Sequence, residues 1–248
     1  FVWSTSTNPT LEKNDGKTSD GEGTGEFTSK IEGLQQKSTY NIKAYATNSV
    51  GTAYSEQLKF TTYEKKFAGG SGTLTDPYLI ATPGQLDSIR NNKTLPYFYK
   101  QIANINLAKY NNGWVPAGKW VPIGTKENPF QGKYNGNSYK IFNLTIDLPE
   151  MDAVGLFGYT ENSVLKNIII EKINIVGNKD VGGLVGLNIG EITECVVEGE
   201  ISGSGNIGGL VGWNDRTIQG CKAMVNILAS GSKIGGLMGW NWNNGKIK

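Results

Sequence analysis

The sequence predicts an all-β chain in two parts: a short run of alternating strands of the β-sandwich type, then a parallel β-solenoid. Three observations lead there. The segments "AVGLFGYT" (153–160), "VGGLVGLN" (181–188), "IGGLVGWN" (207–214) and "IGGLMGWN" (234–241) superpose without gaps, their leucines 28, 26 and 27 residues apart. These repeats lack helical periodicity, and glycine, at 34 of 248 residues, is about twice its average share. The first 62 residues instead read as short alternating runs between polar turns.

In that first part, "FVWST", "GEFTSKIEGL", "TYNIKAYATN" and "EQLKFTT" are the predicted strands. The stretch "GLQQKSTYNIKAYATNSVGTAYSEQLKFTT" resembles the last three strands of a fibronectin type III domain. Tyr40 follows Leu34 by six residues, as the corner tyrosine of that family follows its leucine, and "YNIKAYATN" carries the alternation of the next strand. The resemblance implies an incomplete fibronectin type III-like β-sandwich over residues 1–62 that lacks its first strands, because such domains run to about 100 residues. It also implies that Phe1 lies inside a strand of a longer protein and that the module serves as a spacer.

Residues 63–77, "YEKKFAGGSGTLTDP", mix charge, Gly and Pro and read as a linker. Residues 78–151 follow as a separate stretch ahead of the repeats. "TPGQLDSIRNN" predicts its one short helix, with Thr82 as N-cap and Pro83 at the first helical position. The rest of that region is strand-and-turn material rich in Asn and Gly.

Residues 152–248 hold the repeats, about three and a half coils of about 27 residues, each of two or three strand segments. The coil is expected to be right-handed and to rise by one strand spacing, roughly 4.8 Å per turn, so that equivalent residues stack into ladders. Leu156, Leu184, Leu210 and Leu237 are then an inward apolar stack, with Phe157, Val185, Val211 and Met238 facing the other way. Gly158, Gly186, Gly212 and Gly239 form a glycine column suited to corners of positive φ or close backbone approach. Thr160, Asn188, Asn214 and Asn241 form a polar column able to hydrogen-bond along the axis. Ile168, Cys195 and Cys221 align as well, which makes the cysteines buried free thiols. Ladder neighbours are near enough for a disulfide, but their parallel Cβ directions disfavour its geometry. The last copy stops in mid-coil at Lys248, so the stack is expected to continue in a longer polypeptide.

The recurring "VGLFG", "GGLVG", "GGLVG" and "GGLMG" resemble the GLUG motif, which recurs in bacterial surface proteins and in the non-catalytic region of some IgA-cleaving metalloproteases. That resemblance implies an extracellular or bacterial cell-surface location, and, because "GTLTDPYLIATPGQLDSI", "WVPIG" and "PFQGKYNGNSYKIFNLTI" look like the segment that precedes such repeats, it implies that residues 78–151 are the N-terminal, capping part of the solenoid. It carries no protease activity here, because the zinc-binding helix motif needs two histidines and the chain has none.

Absence of His also removes Ser-His-Asp and Cys-His nucleophile pairs. Two cysteines are too few for a thiolate zinc cage, so neither metal nor cofactor is expected. With 24 basic residues interspersed among 22 acidic ones, no cationic stripe is available for nucleic acid. No apolar run of membrane-spanning length occurs, and no leader opens the sequence. The glycines of "KDVGGLVGLNIG" miss the Gly-x-Gly-x-x-Gly spacing of a phosphate loop.

A polysaccharide-active β-helix enzyme would need carboxylates converging on one face. Asp152 and Asp180 fall at one coil position, but Asn206 and Lys233 continue that column, and Glu194, Glu198 and Glu200 have no stacked acidic partners. No catalytic residue is therefore assigned. The sharper feature is aromatic: Tyr159, Leu187, Trp213 and Trp240 follow the glycines, with Trp242 two residues on. Trp213, Asn214, Trp240, Asn241 and Trp242 are the candidate ligand-binding residues, since a sugar stacks on rings and pairs with amides. Packing of the rings against their own or an adjoining coil is the competing account. The expected function is non-catalytic adhesion, or binding of a glycan or a host surface protein. The alternatives are a passive stalk that positions other domains and, behind it, the polysaccharide-active enzyme.

Overall fold

The computed structural model describes residues 1–35, 38–62, 66–91, 96–110 and 119–248. The chain divides into two compact units, Phe1–Lys65 and Lys66–Lys248.

In the first unit Val2–Ser4 pairs antiparallel with Gly16–Lys17 and with Thr39–Lys43, which pairs in turn with Leu58–Thr61. Tyr45–Thr47 and Thr52–Tyr54 form a separate hairpin. The run "TYNIKAYATN" is thus broken at Ala44, whose carbonyl accepts from Ser55 N (2.9 Å) and whose N–H donates to Ser55 Oγ (2.9 Å). "GEFTSKIEGL" forms no strand, contrary to its alternation. Gly25 and Gly33 within it take φ of +133° and +74°, outside the extended range a ladder requires. Tyr40 is buried, lies 5.8 Å from the Phe60 ring, and accepts a 3.0 Å hydrogen bond from Gln35 N. The described residues form one four-stranded sheet and a hairpin rather than two facing sheets. Val2, Trp3 and Tyr40 are the only buried hydrophobic residues described in this unit, a small core for a free-standing sandwich.

The second unit is a solenoid of three parallel sheets. The first face stacks Tyr78–Ile80, Phe98–Gln101, Lys133–Asn135, Phe157–Lys166, Val185–Thr193, Val211–Asn214 and Met238–Asn241. The second stacks Ile105–Asn106, Lys140–Phe142, Ile169–Val176, Val196–Gly203 and Lys222–Ala229, and the third Lys179–Gly182, Gly205–Gly208 and Ile234–Gly235. The repeats beginning at Lys179 and Gly205 each supply strands to all three faces. The described residues of 78–151 form irregular turns of the same sheets, because Phe98–Gln101 and Lys133–Asn135 pair in register beneath Phe157–Lys166.

The helix, Pro83–Asp87, starts where the Thr82 side chain accepts from Gln85 N at 3.2 Å, and it buries Leu86. Residues 63–65 of the expected linker lie outside the described residues. From Lys66 onward the segment belongs to the solenoid unit instead: Phe67 is buried 4.3 Å from the Tyr78 ring, Ala68 N donates to Leu79 O, and Leu79 N donates to Gly69 O. Its Gly content reads as linker, but one aromatic anchor draws it onto the first coil.

Leu156, Leu184 and Leu210 are fully buried, and Leu237, in the last coil, is half-buried. Phe157, Val185 and Val211, expected on the opposite side, are also 0% exposed. Each leucine sits at the bend between the third and first faces. The chain turns there, so strict strand alternation lapses and two consecutive side chains enter the core, each worth roughly 1.5–3 kcal/mol of burial.

The glycine column also works differently from a set of positive-φ corners. Gly158, Gly186, Gly212 and Gly239 stand second in the first-face strands without positive φ. A Cβ on Gly186 would lie 2.3 Å from the Ala153 carbonyl carbon, and one on Gly212 2.2 Å from that of Asp180. Glycine is required because two faces approach backbone to backbone. The left-handed conformation falls on the residues opposite: Ala153, Asp180, Asn206 and Lys233 have φ of 56°, 53°, 49° and 66°.

Candidate functional site

The first face places the candidate residues by simple alternation. Tyr159 pairs with Leu187, Leu187 with Trp213, and Trp213 with Trp240; one residue on, Thr160, Asn188, Asn214 and Asn241 pair in the same order. Consecutive side chains of a strand leave on opposite sides. The Trp column therefore lies on the outer surface and the Asn column inside.

Inside, the amides are saturated. Thr160 Oγ1 donates to Asn188 Oδ1 (2.7 Å), Asn188 Nδ2 to Asn214 Oδ1 (2.8 Å), and Asn214 Nδ2 to Asn241 Oδ1 (2.9 Å). The same Nδ2 atoms of Asn188 and Asn214 donate to Gly190 O and Arg216 O, both at 2.7 Å. Thr160, Asn188 and Asn214 are fully buried, whereas Asn241 is exposed. Asn214 thus cannot share a ligand with Trp213, which corrects its expected place in the site. It is a structural strut, and Asn241 is the only amide of this column that meets solvent.

Outside, the three tryptophans gather. Trp213 and Trp242 stack with centroids 6.4 Å apart, and Trp242 meets Trp240 edge-on at 4.8 Å. Trp242 is 49% exposed; Trp213 and Trp240 are half-buried. The turn after Asn241 brings Trp242 back: Trp242 N donates to Asn214 O (2.7 Å), Gly245 N to Trp242 O (2.9 Å), and Asn244 N to Asp215 Oδ1 (2.8 Å). Lys233 Nζ sits over the Trp240 ring, a cation–π contact. Lys233 and Asp215 carry no sequence signal for membership of this cluster. The "NNG" turn signal after Trp242 was the available hint of the fold-back.

The carboxylates do not converge. The isolated bridge Val154–Val181 shifts the third face by one residue relative to the gapless alignment, so Asp180 follows Ala153 rather than Asp152. Asp152 Oδ1 accepts from Asn178 Nδ2 (2.9 Å) and Lys179 N (3.2 Å), and Asp180 Oδ1 accepts from Asn206 Nδ2 (2.7 Å). Burial pushes the Asp180 carboxyl above the usual carboxylate range; the Asn206 hydrogen bond opposes this, and nearby Asp152 adds to it. No group of three metal-ligating side chains occurs among the described residues.

Cys195 and Cys221 occupy one column, between Thr193 and Val196 and between Gln219 and Lys222. Both thiols are free, Cys195 buried and Cys221 only half-buried. Burial holds the Cys195 thiol well above its ordinary pKa. That makes it a small core hydrophobe rather than a nucleophile.

Comparison with known proteins fits this geometry. The chain aligns at 38% identity over 136 residues with a protein of Evansella cellulosilytica named as a Gly-rich membrane protein, covering 53% of this chain and 16% of that one. It aligns at 32% over 139 residues with the Halomucin of Haloquadratum walsbyi, covering 54% of this chain and 2% of that one. The chain therefore spans only a small part of these relatives' length. A solved structure named as an immunoglobulin A1 protease from Bacteroides ovatus superposes with a TM-score of 0.52 over 73% of this chain and 67% of its own, at 16% identity, a likeness of fold alone. Residues 177–202 match the model of the GLUG motif. That segment runs from the start of one third-face strand through the first face to the end of the second, so the GLUG motif forms one complete coil of this solenoid.

Proposed function

We propose that this chain is part of a non-catalytic surface protein whose coils form a right-handed rigid rod presenting an aromatic patch to a glycan or a host protein. The observation that carries the reading is the gathering of Trp213, Trp240 and Trp242 on the outer surface of the first face. The ladders inside are fully paired without those rings. Relatives named as a membrane protein and as Halomucin support the surface location. The Gln35–Tyr40 hydrogen bond supports an incomplete fibronectin type III module, in the spacer role, as the preceding unit.

Trp242→Ala tests the reading, because its ring is the most exposed of the three. On a glycan array and a panel of host surface proteins, the parent chain should bind at least one member. The variant should bind about tenfold more weakly, the ~1.4 kcal/mol expected of a lost ring contact. Its melting midpoint should stay within a few degrees of the parent's. A passive stalk is the second reading, favoured by one observation: Trp242 and Lys233 already cover Trp213 and Trp240. No binding by the parent on either panel, with a lowered midpoint in the variant, would establish packing as the role of these rings.

A further inference from the structure

The irregular coils carry a concave surface, remote in sequence from the Trp cluster and independent of it. A groove of about 500 Å³ lies on the outside of the first face, walled on one side by residues 74–77. Two rows run along its floor. Phe98, Lys133 and Val164 pair in register as one, and Lys100, Asn135 and Lys166 as the other.

The chemistry of these rows is asymmetric. Three lysines line the groove and no carboxylate does. Lys133 Nζ is tied to Asn162 O at 2.8 Å, but among the described residues Lys100 and Lys166 have no ion-pair partner. The cationic run ends in the next coil, where Glu191 pairs with Val164 and Thr193 with Lys166. Lys100 and Lys166 are two coils apart, about 9.5 Å at the Cα positions. An extended peptide repeats its side chains on one face every ~7 Å and falls out of step with that spacing. One strand spacing is close to the length of one linked pyranose, so a sugar chain along the axis stays in step.

We propose that this groove binds a linear anionic polysaccharide lying along the solenoid axis. Lys100 and Lys166 would hold acidic groups on alternate sugars, and the row begun by Phe98 would underlie apolar ring faces. The contacts are charge-assisted and partly exposed, so binding should weaken with salt.

Affinity electrophoresis and titration calorimetry of the full chain test this, with polygalacturonate as carboxylate probe, dextran sulfate as sulfate probe, and neutral galactan and polyglutamate as controls. At low salt at least one anionic polysaccharide should bind, and which one separates carboxylate from sulfate recognition. Lys100→Gln with Lys166→Gln should lose about tenfold or more in affinity at an unchanged melting midpoint. Lys100→Arg with Lys166→Arg should retain binding. Failure of both anionic polysaccharides to bind, equal binding of galactan or polyglutamate, or unchanged affinity in the glutamine pair would overturn the proposal.

Discussion

The column through Asn188 and Asn214 and the column through Leu187 and Trp213 lie one residue apart on the same strands, and the solenoid asks opposite things of them. The inner column is chemically uniform and closes its hydrogen bonds from coil to coil, with Thr160 starting the ladder and Asn241 ending it in solvent. The outer column changes with every coil, Tyr159, Leu187, Trp213 and Trp240, while its backbone pairing stays the same. What the stack needs is repeated; what it does not need is free to vary. A binding surface can be written on the outer column without cost to the inner one.

The contrast breaks most sharply where two faces touch. Gly212→Val would place a Cβ 2.2 Å from the Asp180 carbonyl carbon, an atom that cannot rotate away. The expected loss is about 3 kcal/mol or more. Thermal unfolding followed by circular dichroism should show a midpoint lower by roughly 10 °C for a chain of this size. An unchanged midpoint would mean that the first and third faces can part at this corner.

A step smaller is the ladder itself. Asn188→Ala removes the partner of Thr160, Asn214 and Gly190 together, all buried, and should cost about 2–3 kcal/mol. Asn241→Ala, at the solvent end of the same column, should cost less than about 1 kcal/mol. Denaturant unfolding of the two variants gives the comparison directly. Equal losses would show that the ladder is not a buried network along its length.

The repeat made the second unit legible, because spacings of 26 to 28 residues fix the register where the first-face strands begin once parallel stacking is assumed. The Leu, Gly and Asn columns and the Cys195–Cys221 pair follow from that register alone, whereas Ile168 joins the Cys column through a register shift between Glu161 and Val164. Three things did not follow. The direction of Phe157 depended on a bend at Leu156, and the backbone contact behind Gly186 depended on where a neighbouring face runs. The mate of Asp180 depended on a one-residue slip near Val154 that a gapless alignment conceals. In the first unit no repeat disciplines the reading, so alternation in "GEFTSKIEGL" predicted a strand where Gly25 and Gly33 turn the chain. The Trp cluster was half legible: the column was visible, but the return of Trp242 through Asn244 and Asp215 is a tertiary event.

The smallest expected effect separates charge from packing within the left-handed column. Asp180 is held above the ordinary carboxylate range chiefly by burial, with Asp152 adding to the shift and Asn206 opposing it. The folded chain therefore binds this proton more tightly than the unfolded one, whose carboxyl titrates near ~4. Its stabilising contribution is complete below that pH and is lost as pH rises through the folded-state value. Asp180→Asn removes the buried charge, leaves an amide oxygen to accept from Asn206, and suits the left-handed backbone at this position. At neutral pH the variant should be the more stable of the two, by less than the Asn188 effect, and its advantage should shrink as pH falls through the folded-state value of Asp180 and be gone below ~4. Melting curves across that range read it out. An advantage that stays constant with pH would assign the gain to the backbone preference of Asn alone, and the carboxylate at the corner would then carry no electrostatic penalty.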